Sequence, residues 1–423
     1  MESSDPIQAA HTALCKDDVA GMREVLRRHP ELKAHINTPI AQNFDSPPIL
    51  SVRSRGMLDL FLEAGADINA KSRWWAGGFG LLHTIKPDLA RYAIERGALV
   101  DIHAAARLGM FEQVRELLAG DPSLVHARGG DGQTPLHFAS TVPIAEYLVD
   151  HGADINARDV DHESTPAQYM IDDRQEIVRL LIRRGCETDI LIAAALGDLD
   201  LARKHVEADP KCIRMRVSER WFPMISGKSG GTIYQWKLGW HISPHEVAKK
   251  FGHEEMFQFL ESKSPPAVRL INAAWAGNGA KVDELLAQHP NVRESFTPEE
   301  LAQVAHAARN NELAAVRLLL KAGLPVMGRG QHNATPLHWA AWHGNAEMVR
   351  VILQHAPELE DNKNDFDGTP LRWAIHGSEN GWEKDKGDYA GTVKALLQAG
   401  AKPPEKPGGT LAVQEVLKRS RVA

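Results

Sequence analysis

Thr134-Pro-Leu-His137 returns unchanged as Thr335-Pro-Leu-His338, and this repeated tetrapeptide decides the fold of the chain. Related phrases occur at Ser164-Thr-Pro-Ala167, Ser243-Pro-His-Glu246 and Gly368-Thr-Pro-Leu371. Each phrase is followed by a helical pattern of apolar residues, and Thr134 lies 31 residues before Thr165 while Thr335 lies 34 before Thr369. Self-similarity at a period of roughly thirty residues is typical of a solenoid, in which each repeat packs only on its neighbours.

The segment around the second copy predicts that each repeat is a pair of helices. In Thr335-Pro336, the threonine is a good N-cap and the proline suits the first helical turn, where a missing N–H costs nothing. Ala340-Ala341 supplies a small apolar face, so that two helices can approach closely. Gly344 ends the first helix, and a further apolar pattern predicts a second helix from about Ala346 to Leu353.

The segment Asn333 to Arg350 resembles the ankyrin repeat almost letter for letter, and the resemblance extends over nearly the whole chain. It implies an all-α solenoid of helix-turn-helix repeats with short hairpin fingers, continuous over residues 1–402. About twelve repeats are expected, near 7–37, 46–71, 79–100, 101–130, 132–160, 164–188, 190–216, 241–263, 267–295, 301–327, 333–363 and 368–402. Residues 403–423 are expected to form a C-terminal linker and a capping helix.

Composition narrows the classes of function. The 49 basic and 55 acidic side chains give a net charge of −6, which provides no general attraction to nucleic acid or to an anionic membrane. Three cysteines, at 15, 186 and 212, are too few for a disulfide framework and indicate a reducing setting. The first residues show no signal-peptide pattern, and no apolar run is long enough to span a bilayer. We therefore expect a cytoplasmic protein that binds neither nucleic acid nor a membrane.

The longest departure from the repeat is an insertion at residues 217–240. Its composition predicts a long β-hairpin with arms at Trp221 to Ile225 and Thr232 to Trp240. Strand alternation would then place four large side chains on one face of the second arm: Tyr234, Trp236, Leu238 and Trp240. Such an aromatic strip either packs on neighbouring helices or overhangs a binding groove.

Other departures also carry aromatic residues. Trp74 and Trp75 are adjacent in a glycine-rich hairpin, where two neighbouring tryptophans cannot both point inward, so either one ring packs beneath the loop or the pair contacts a partner. An extra polar stretch near Ser378 to Asp388, with Trp382 at its middle, is expected to be a solvated loop. Register against Gly344 predicts four groove residues in the first helices of three repeats: Trp275, Trp342, His343 and His376.

Histidines and carboxylates are expected to have mostly structural duties. In ankyrin repeats the position held here by His83, His137 and His338 normally hydrogen-bonds neighbouring backbone. Neither Cys-x-x-Cys nor His-Glu-x-x-His occurs, so the sequence predicts no metal site and no cofactor. The stretch Asp161-His162-Glu163 is atypical for a hairpin tip, and it can face the groove.

The leading hypothesis is an ankyrin-type scaffold whose concave groove binds a protein or peptide partner. It rests on the family resemblance and on the lack of a catalytic motif. The predicted contact residues are Trp74, Trp75, Asp161, His162, Trp221, Trp236, Trp240, Trp275, Trp342, His343 and His376. The alternative is a small-molecule or glycan binder, or a carboxylate-dependent enzyme, that uses the same groove. A closed pocket with two convergent carboxylates would favour this alternative.

Overall fold

The computed structural model describes residues 5–41 and 43–420, and short helices form most of its ordered structure. The α-helices in this part of the chain are α1 Pro6–Cys15, α2 Val19–Arg28, α3 Arg55–Glu63, α4 Pro87–Glu95, α5 Ile102–Arg107, α6 Phe111–Gly120, α7 Pro135–Phe138, α8 Val142–Asp150, α9 Pro166–Tyr169, α10 Gln175–Arg183, α11 Ile190–Leu196, α12 Leu199–Ala208, α13 Tyr234–Lys237, α14 Pro244–Lys250, α15 Glu254–Lys263, α16 Pro266–Trp275, α17 Gly279–Gln288, α18 Pro298–Leu301, α19 Gln303–Arg309, α20 Leu313–Lys321, α21 Pro336–Trp342, α22 Ala346–His355, α23 Pro370–Asn380, α24 Tyr389–Gln398 and α25 Leu411–Arg419. Short 3₁₀ helices lie at Pro30–His35, Pro48–Ser51, Leu81–His83, Pro122–His126, Gly130–Gly132, Pro210–Arg214, Val292–Ser295, Gln331–Asn333 and Pro357–Asp361.

The predicted all-α character is confirmed. Among the described residues, strand pairing is limited to two isolated antiparallel bridges, Ile40 with Ser46 and Lys71 with Gly80. No helix in the described ranges is long and apolar enough to cross a bilayer.

The pair α21 and α22 forms as its sequence predicts. α21 ends at Trp342, and Gly344 follows with φ 63°, in the left-handed region that favours glycine. The Asn345 side chain then caps α22 by accepting the Met348 N–H at 2.9 Å. Ala340 and Ala341 are fully buried, which allows the close helix packing that a small apolar face predicts.

The described chain divides into two compact units. The first comprises the residues up to His205 together with Met215–Ile242, and the second comprises Val206–Arg214 together with the residues from Ser243 onward. Each has its own apolar core. One cluster in the first unit extends from Ala13 to Ala104, and one in the second extends from Leu270 to Leu417.

Each complete tetrapeptide connects its own repeat to the next finger loop through the histidine. Nδ1 of His137 accepts the Thr134 N–H at 3.1 Å, so Nε2 carries the proton and donates to the Ser164 carbonyl at 3.1 Å. His338 does the same in the second compact unit, with Nε2–H donating to the Gly368 carbonyl at 2.9 Å. The predicted structural duty of these histidines is confirmed.

The predicted long β-hairpin at residues 217–240 is wrong. The segment is irregular apart from the one-turn helix α13, because its backbone N–H groups bond to an adjoining finger loop instead of to a second arm. A helix turns by about 100° per residue, so residues two apart point in nearly opposite directions. Tyr234 is fully buried and Trp236 is 71% exposed, and the predicted aromatic strip does not form.

The polar stretch near Ser378 to Asp388 is helical in its first part and a mostly exposed loop in the rest, so the expected solvated loop is found only after Asn380. Its first residues extend α23 to Asn380, and Ser378 is buried. The C-terminal residues include α25, which buries Val413 and Leu417. The count of about twelve repeats stays a prediction.

Exchanging His137 and His338 for glutamine tests whether these histidines make folding stability depend on pH. Burial lowers the pKa of His137 to about 3 and that of His338 to about 4, from a value of 6.5. The unfolded chain therefore gains protons that the folded chain does not bind as the pH falls below about 6.5, so stability decreases from there toward about pH 4. Between pH 7.5 and 5 the wild type should lose up to about 2 kcal/mol per histidine relative to His137→Gln/His338→Gln.

Urea unfolding at both pH values measures this difference. Glutamine keeps the capping acceptor, as Gln168 shows, since its Oε1 accepts the Thr165 N–H at 2.9 Å. Parallel stability profiles for wild type and variant would contradict the assignment.

Candidate functional site

Two neighbouring finger loops of the first compact unit bring three carboxylates together. Asp131 lies in the 3₁₀ turn Gly130–Gly132 with φ 54°, a left-handed conformation that aspartate tolerates. Its carbonyl accepts the N–H groups of Val160 at 2.7 Å and Asp161 at 3.2 Å. Because these bonds join the two loops at their tips, Asp131 comes to lie beside Asp161, with Asp159 nearby.

The group formed by Asp131, Asp159, Asp161 and His162 is called here the finger cluster. One ligand atom from each of Asp131, Asp161 and His162 lies within 4.8 Å of the other two. Nε2 of His162 is 3.8 Å from Oδ2 of Asp161, which is beyond hydrogen-bonding distance. Asp159 has a structural duty, since it accepts the N–H groups of His162 and Ser164 and the Tyr169 hydroxyl.

Two carboxyl groups of the finger cluster have raised pKa values. Burial, reinforced by repulsion from Asp161 and Asp159, raises the pKa of Asp131 to about 6. Burial also raises the pKa of Asp159. The ionised form of Asp131 is therefore unfavourable while the neighbouring Asp161 carboxylate is also ionised.

The insertion at 217–240 is fastened to the second of these finger loops. The Glu163 carboxylate accepts the N–H groups of Ile225 at 2.8 Å and Ser226 at 2.7 Å. Asp161 Oδ1 accepts the Gly230 N–H at 2.9 Å, and the His162 ring donates from Nδ1 to the Gly231 carbonyl at 2.7 Å. Asp161 and His162, predicted as groove residues, therefore also hold the insertion in place.

The predicted aromatic residues of this unit lie in different surroundings. Trp74 packs on Trp75 with ring centroids 6.2 Å apart, and Trp75 is partly exposed with the Lys228 ammonium 5.9 Å from its ring. Trp236 is exposed and Trp240 is buried. The structure therefore places Trp75 beside the insertion, while Trp74 packs on Trp75 and Phe44.

A cavity of about 460 Å³ lies between the insertion and the repeats that carry it. The insertion supplies Trp221, Phe222 and Met224, and the repeats supply mainly polar side chains, among them Glu163, Gln168 and Asp189. Asp189 caps α11 and accepts the Tyr234 hydroxyl at 2.9 Å, and burial raises the pKa of Asp189.

In the second compact unit, four tryptophans form a contiguous group, called here the tryptophan cluster: Trp339, Trp342, Trp373 and Trp382. Trp339 is 3% exposed and meets Trp373 edge to face at 5.0 Å. Trp382 is 58% exposed, and its ring stacks on Trp339 at 6.0 Å with an interplanar angle of 19°. A buried ring thus supports an exposed one.

A cation and two histidines border the tryptophan cluster. The Arg309 guanidinium lies 5.4 Å from the ring centroids of both Trp339 and Trp382, and burial lowers the pKa of Arg309 to about 10. His343 is buried and donates from Nε2 to the Arg309 carbonyl at 2.7 Å. His376 lies beside Trp342, with ring centroids 5.8 Å apart.

The structure therefore brings together three of the four groove residues predicted in this unit, Trp342, His343 and His376. Trp275 stands elsewhere in the unit, where its Nε1–H donates to Gln303 at 3.0 Å. Trp382 is not among the predicted contact residues, and the sequence signal that marks it is its position in an added polar stretch. The convergence of Asp131 with Asp161 had no local sequence signal, because it depends on the contact between two fingers.

Comparison with known proteins identifies the class of the chain. A family model of ankyrin repeats in three copies matches residues 102–192, 270–365 and 306–406, which together cover more than half of the chain. The chain therefore belongs to the ankyrin-repeat family, and the predicted all-α repeat solenoid is confirmed.

The relatives are longer proteins. The chain is 30% identical over 122 residues to ankyrin repeat and SAM domain-containing protein 6 of Rattus norvegicus. This matched segment is 28% of the chain and 14% of the rat protein. It is 24% identical over 351 residues to E3 ubiquitin-protein ligase KEG of Arabidopsis thaliana, and this match covers 70% of the chain and 20% of the ligase. A 75-residue stretch is 40% identical to serine/threonine-protein kinase VIK of Arabidopsis thaliana, 17% of each. The matched parts thus span about a fifth or less of these relatives.

Replacing Glu163 by alanine should loosen the insertion while the helical repeats stay folded. The change removes the acceptor for the Ile225 and Ser226 N–H groups, and a hydrogen bond to a charged group contributes about 1.5–3 kcal/mol. Trypsin should then cleave after the exposed Lys228 about tenfold faster or more, with little change in the circular dichroism spectrum.

Glu187→Ala is the matched control, because the Glu187 carboxylate pairs with Arg158 and does not contact the insertion's backbone. Equal cleavage rates in the two variants would show that Glu163 does not hold the insertion.

Proposed function

We propose that this chain is a binding scaffold and that the tryptophan cluster is its contact surface for a protein or peptide partner. Ankyrin repeats generally mediate protein–protein interaction, which supports the class of function. The surface itself is proposed from the arrangement of its side chains.

The observation that carries the proposal is the exposed Trp382 ring resting on the buried Trp339 ring, with Arg309 beside both. Tryptophan and arginine are the residues most enriched among binding hot spots, which combine large contact area with fixed position. A ring held by a stack loses little side-chain freedom when a partner covers it, so more of its contact energy contributes to affinity.

The surface continues beyond the tryptophans. Phe366 is 68% exposed, and its ring lies 5.0 Å from that of His332, which is 6.4 Å from Trp339. Phe366 and Trp382 thus offer two exposed aromatic anchors, connected through the rings of His332 and the buried Trp339. Two such anchors suit an extended peptide or a loop with two apolar side chains.

Truncating Trp382 should separate binding from stability. Trp382→Ala removes a largely exposed ring, so the free energy of unfolding should change by less than about 1 kcal/mol. Peptide binding should weaken by about 2 kcal/mol or more, which is about thirtyfold in Kd. Trp339→Ala does not test binding, since truncating a buried tryptophan costs about 3–5 kcal/mol of stability.

The measurement selects ligands from a random peptide library displayed on phage, using the full chain as bait. Fluorescence anisotropy then compares wild type, Trp382→Ala, Phe366→Ala and Leu99→Ala. Leu99 is 76% exposed in the first compact unit, and its variant should bind as wild type does. The proposal is overturned if selected peptides bind Trp382→Ala and Phe366→Ala with wild-type affinity.

The cavity beside the insertion favours a second candidate, a binding site for a small molecule or glycan. Its volume of about 460 Å³ is in the range of ligand pockets, and Trp221 and Phe222 offer aromatic surface beside the polar side chains of Gln168 and Thr188. The three carboxylates of its lining already have partners, which disfavours a carboxylate-dependent enzyme in this cavity: Glu163 accepts the Ser226 N–H, Glu187 pairs with Arg158, and Asp189 accepts the Tyr234 hydroxyl. A glycan array probed with wild type and Trp221→Ala tests this candidate, which requires binding that the variant loses.

A further inference from the structure

The finger cluster has the donor set of a metal site. Asp131 comes from one finger loop, and Asp161 and His162 come from the next, with ligand atoms within 4.8 Å of one another. Two carboxylate oxygens and one imidazole nitrogen suit divalent ions such as Mn²⁺ and Zn²⁺. Ligand atoms around an ion with bonds of about 2.1 Å lie about 3 Å apart, so side-chain shifts of about 1–2 Å complete the site.

The His162 ring is already in the orientation that a metal ligand requires. A carbonyl oxygen only accepts hydrogen bonds, so the 2.7 Å contact with the Gly231 carbonyl places a proton on Nδ1. In the neutral ring Nε2 then carries a lone pair, and this atom faces the carboxylates. A second-shell hydrogen bond of this kind is the usual support of a metal-ligating histidine.

The surroundings of the Asp161 carboxylate also favour a metal ion at this place. Its side chain is only 9% exposed, and its Oδ1 is occupied by the Gly230 N–H. Its Oδ2 has no hydrogen-bond donor among the described residues, and it stands 3.8 Å from His162 Nε2. Nor does any Lys or Arg of the described chain form a salt bridge with Asp131, Asp159 or Asp161. One oxygen of a largely buried carboxylate and an imidazole lone pair thus face each other without a cationic side chain of the described residues between them.

We propose that Asp131, Asp161 and His162 bind a divalent transition-metal ion, of which Mn²⁺ and Zn²⁺ are the test cases. The ion occupies the space between the two finger tips and leaves its remaining positions to water. It joins one finger to the next and, through Asp161 and His162, to the insertion. This proposal is independent of the peptide-binding function.

Two other places in the chain resemble the finger cluster but lack a feature that metal binding requires. In the cluster of His83, Asp101 and His103, the His83 Nε2–H donates to Asp101 at 2.9 Å, so that nitrogen is already used. In the second compact unit, His332 has φ 59° and its carbonyl accepts the Asp365 N–H, as the Asp131 carbonyl accepts the Asp161 N–H. There Phe366 follows in place of His162, so the same backbone arrangement lacks the donor set.

The test titrates the full chain, stripped with EDTA and desalted, with MnCl₂ by calorimetry and electron paramagnetic resonance. We expect one Mn²⁺ per chain, displaced by ZnCl₂, and a pulsed-resonance coupling to one imidazole nitrogen that His162→Asn abolishes. Asp131→Asn should weaken binding about tenfold or more, while Asp365→Asn leaves Kd unchanged.

Asp131→His is the second variant, and it should keep metal binding and add a second nitrogen coupling. The equivalent His332 shows that the left-handed backbone accepts histidine, so this variant retains the fold. No saturable binding up to about 1 mM would overturn the proposal. Equal affinities for Asp131→Asn and Asp365→Asn, or a nitrogen coupling that survives His162→Asn, would also overturn it.

Discussion

The finger loops must find hydrogen-bond partners without a sheet, and both compact units depend on how this need is met. A buried backbone group without a partner costs about 1–3 kcal/mol, so the groups that a finger does not pair within itself need partners outside it. Side chains of the preceding repeat provide several of these partners. His137 donates to the Ser164 carbonyl and His338 to the Gly368 carbonyl, while Asn37 and Asn69 each serve both a carbonyl and an N–H about 28–30 residues further on.

The insertion is also held by hydrogen bonds to its backbone, but here the finger loop is the supplier of the partners. Here the finger supplies acceptors, Asp161, Glu163 and Ser164, to the N–H groups of a segment that forms no strand or long helix. Satisfying its backbone on a neighbouring loop allows the insertion to stay irregular and still enclose a cavity. It also explains why its aromatic residues divide between buried and exposed positions, since no pleat alternates them.

Equivalent fingers in the two compact units show how one backbone serves different surfaces. Arg128 donates to the Gly132 and Arg158 carbonyls, and Arg329 donates in the same way to those of Asn333 and Lys363. The tips held in this way bring together Asp131, Asp161 and His162 in the first unit, where the second unit has His332, Asp365 and Phe366. The two units thus share the backbone arrangement of the fingers, and they differ in the few side chains at the finger tips that determine what can bind there.

Local sequence determined the repeat architecture, because the period, the Thr-Pro helix starts, the terminal glycines and the capping imidazoles act within one repeat or between adjacent ones. Trp342, His343 and His376 were also found together, since register within a repeat fixes their positions. Tertiary contacts decided the rest. The shape of residues 217–240, the approach of Asp131 to Asp161 and the stacking of Trp382 on Trp339 depend on contacts between segments about 30 to 70 residues apart, which no local periodicity encodes.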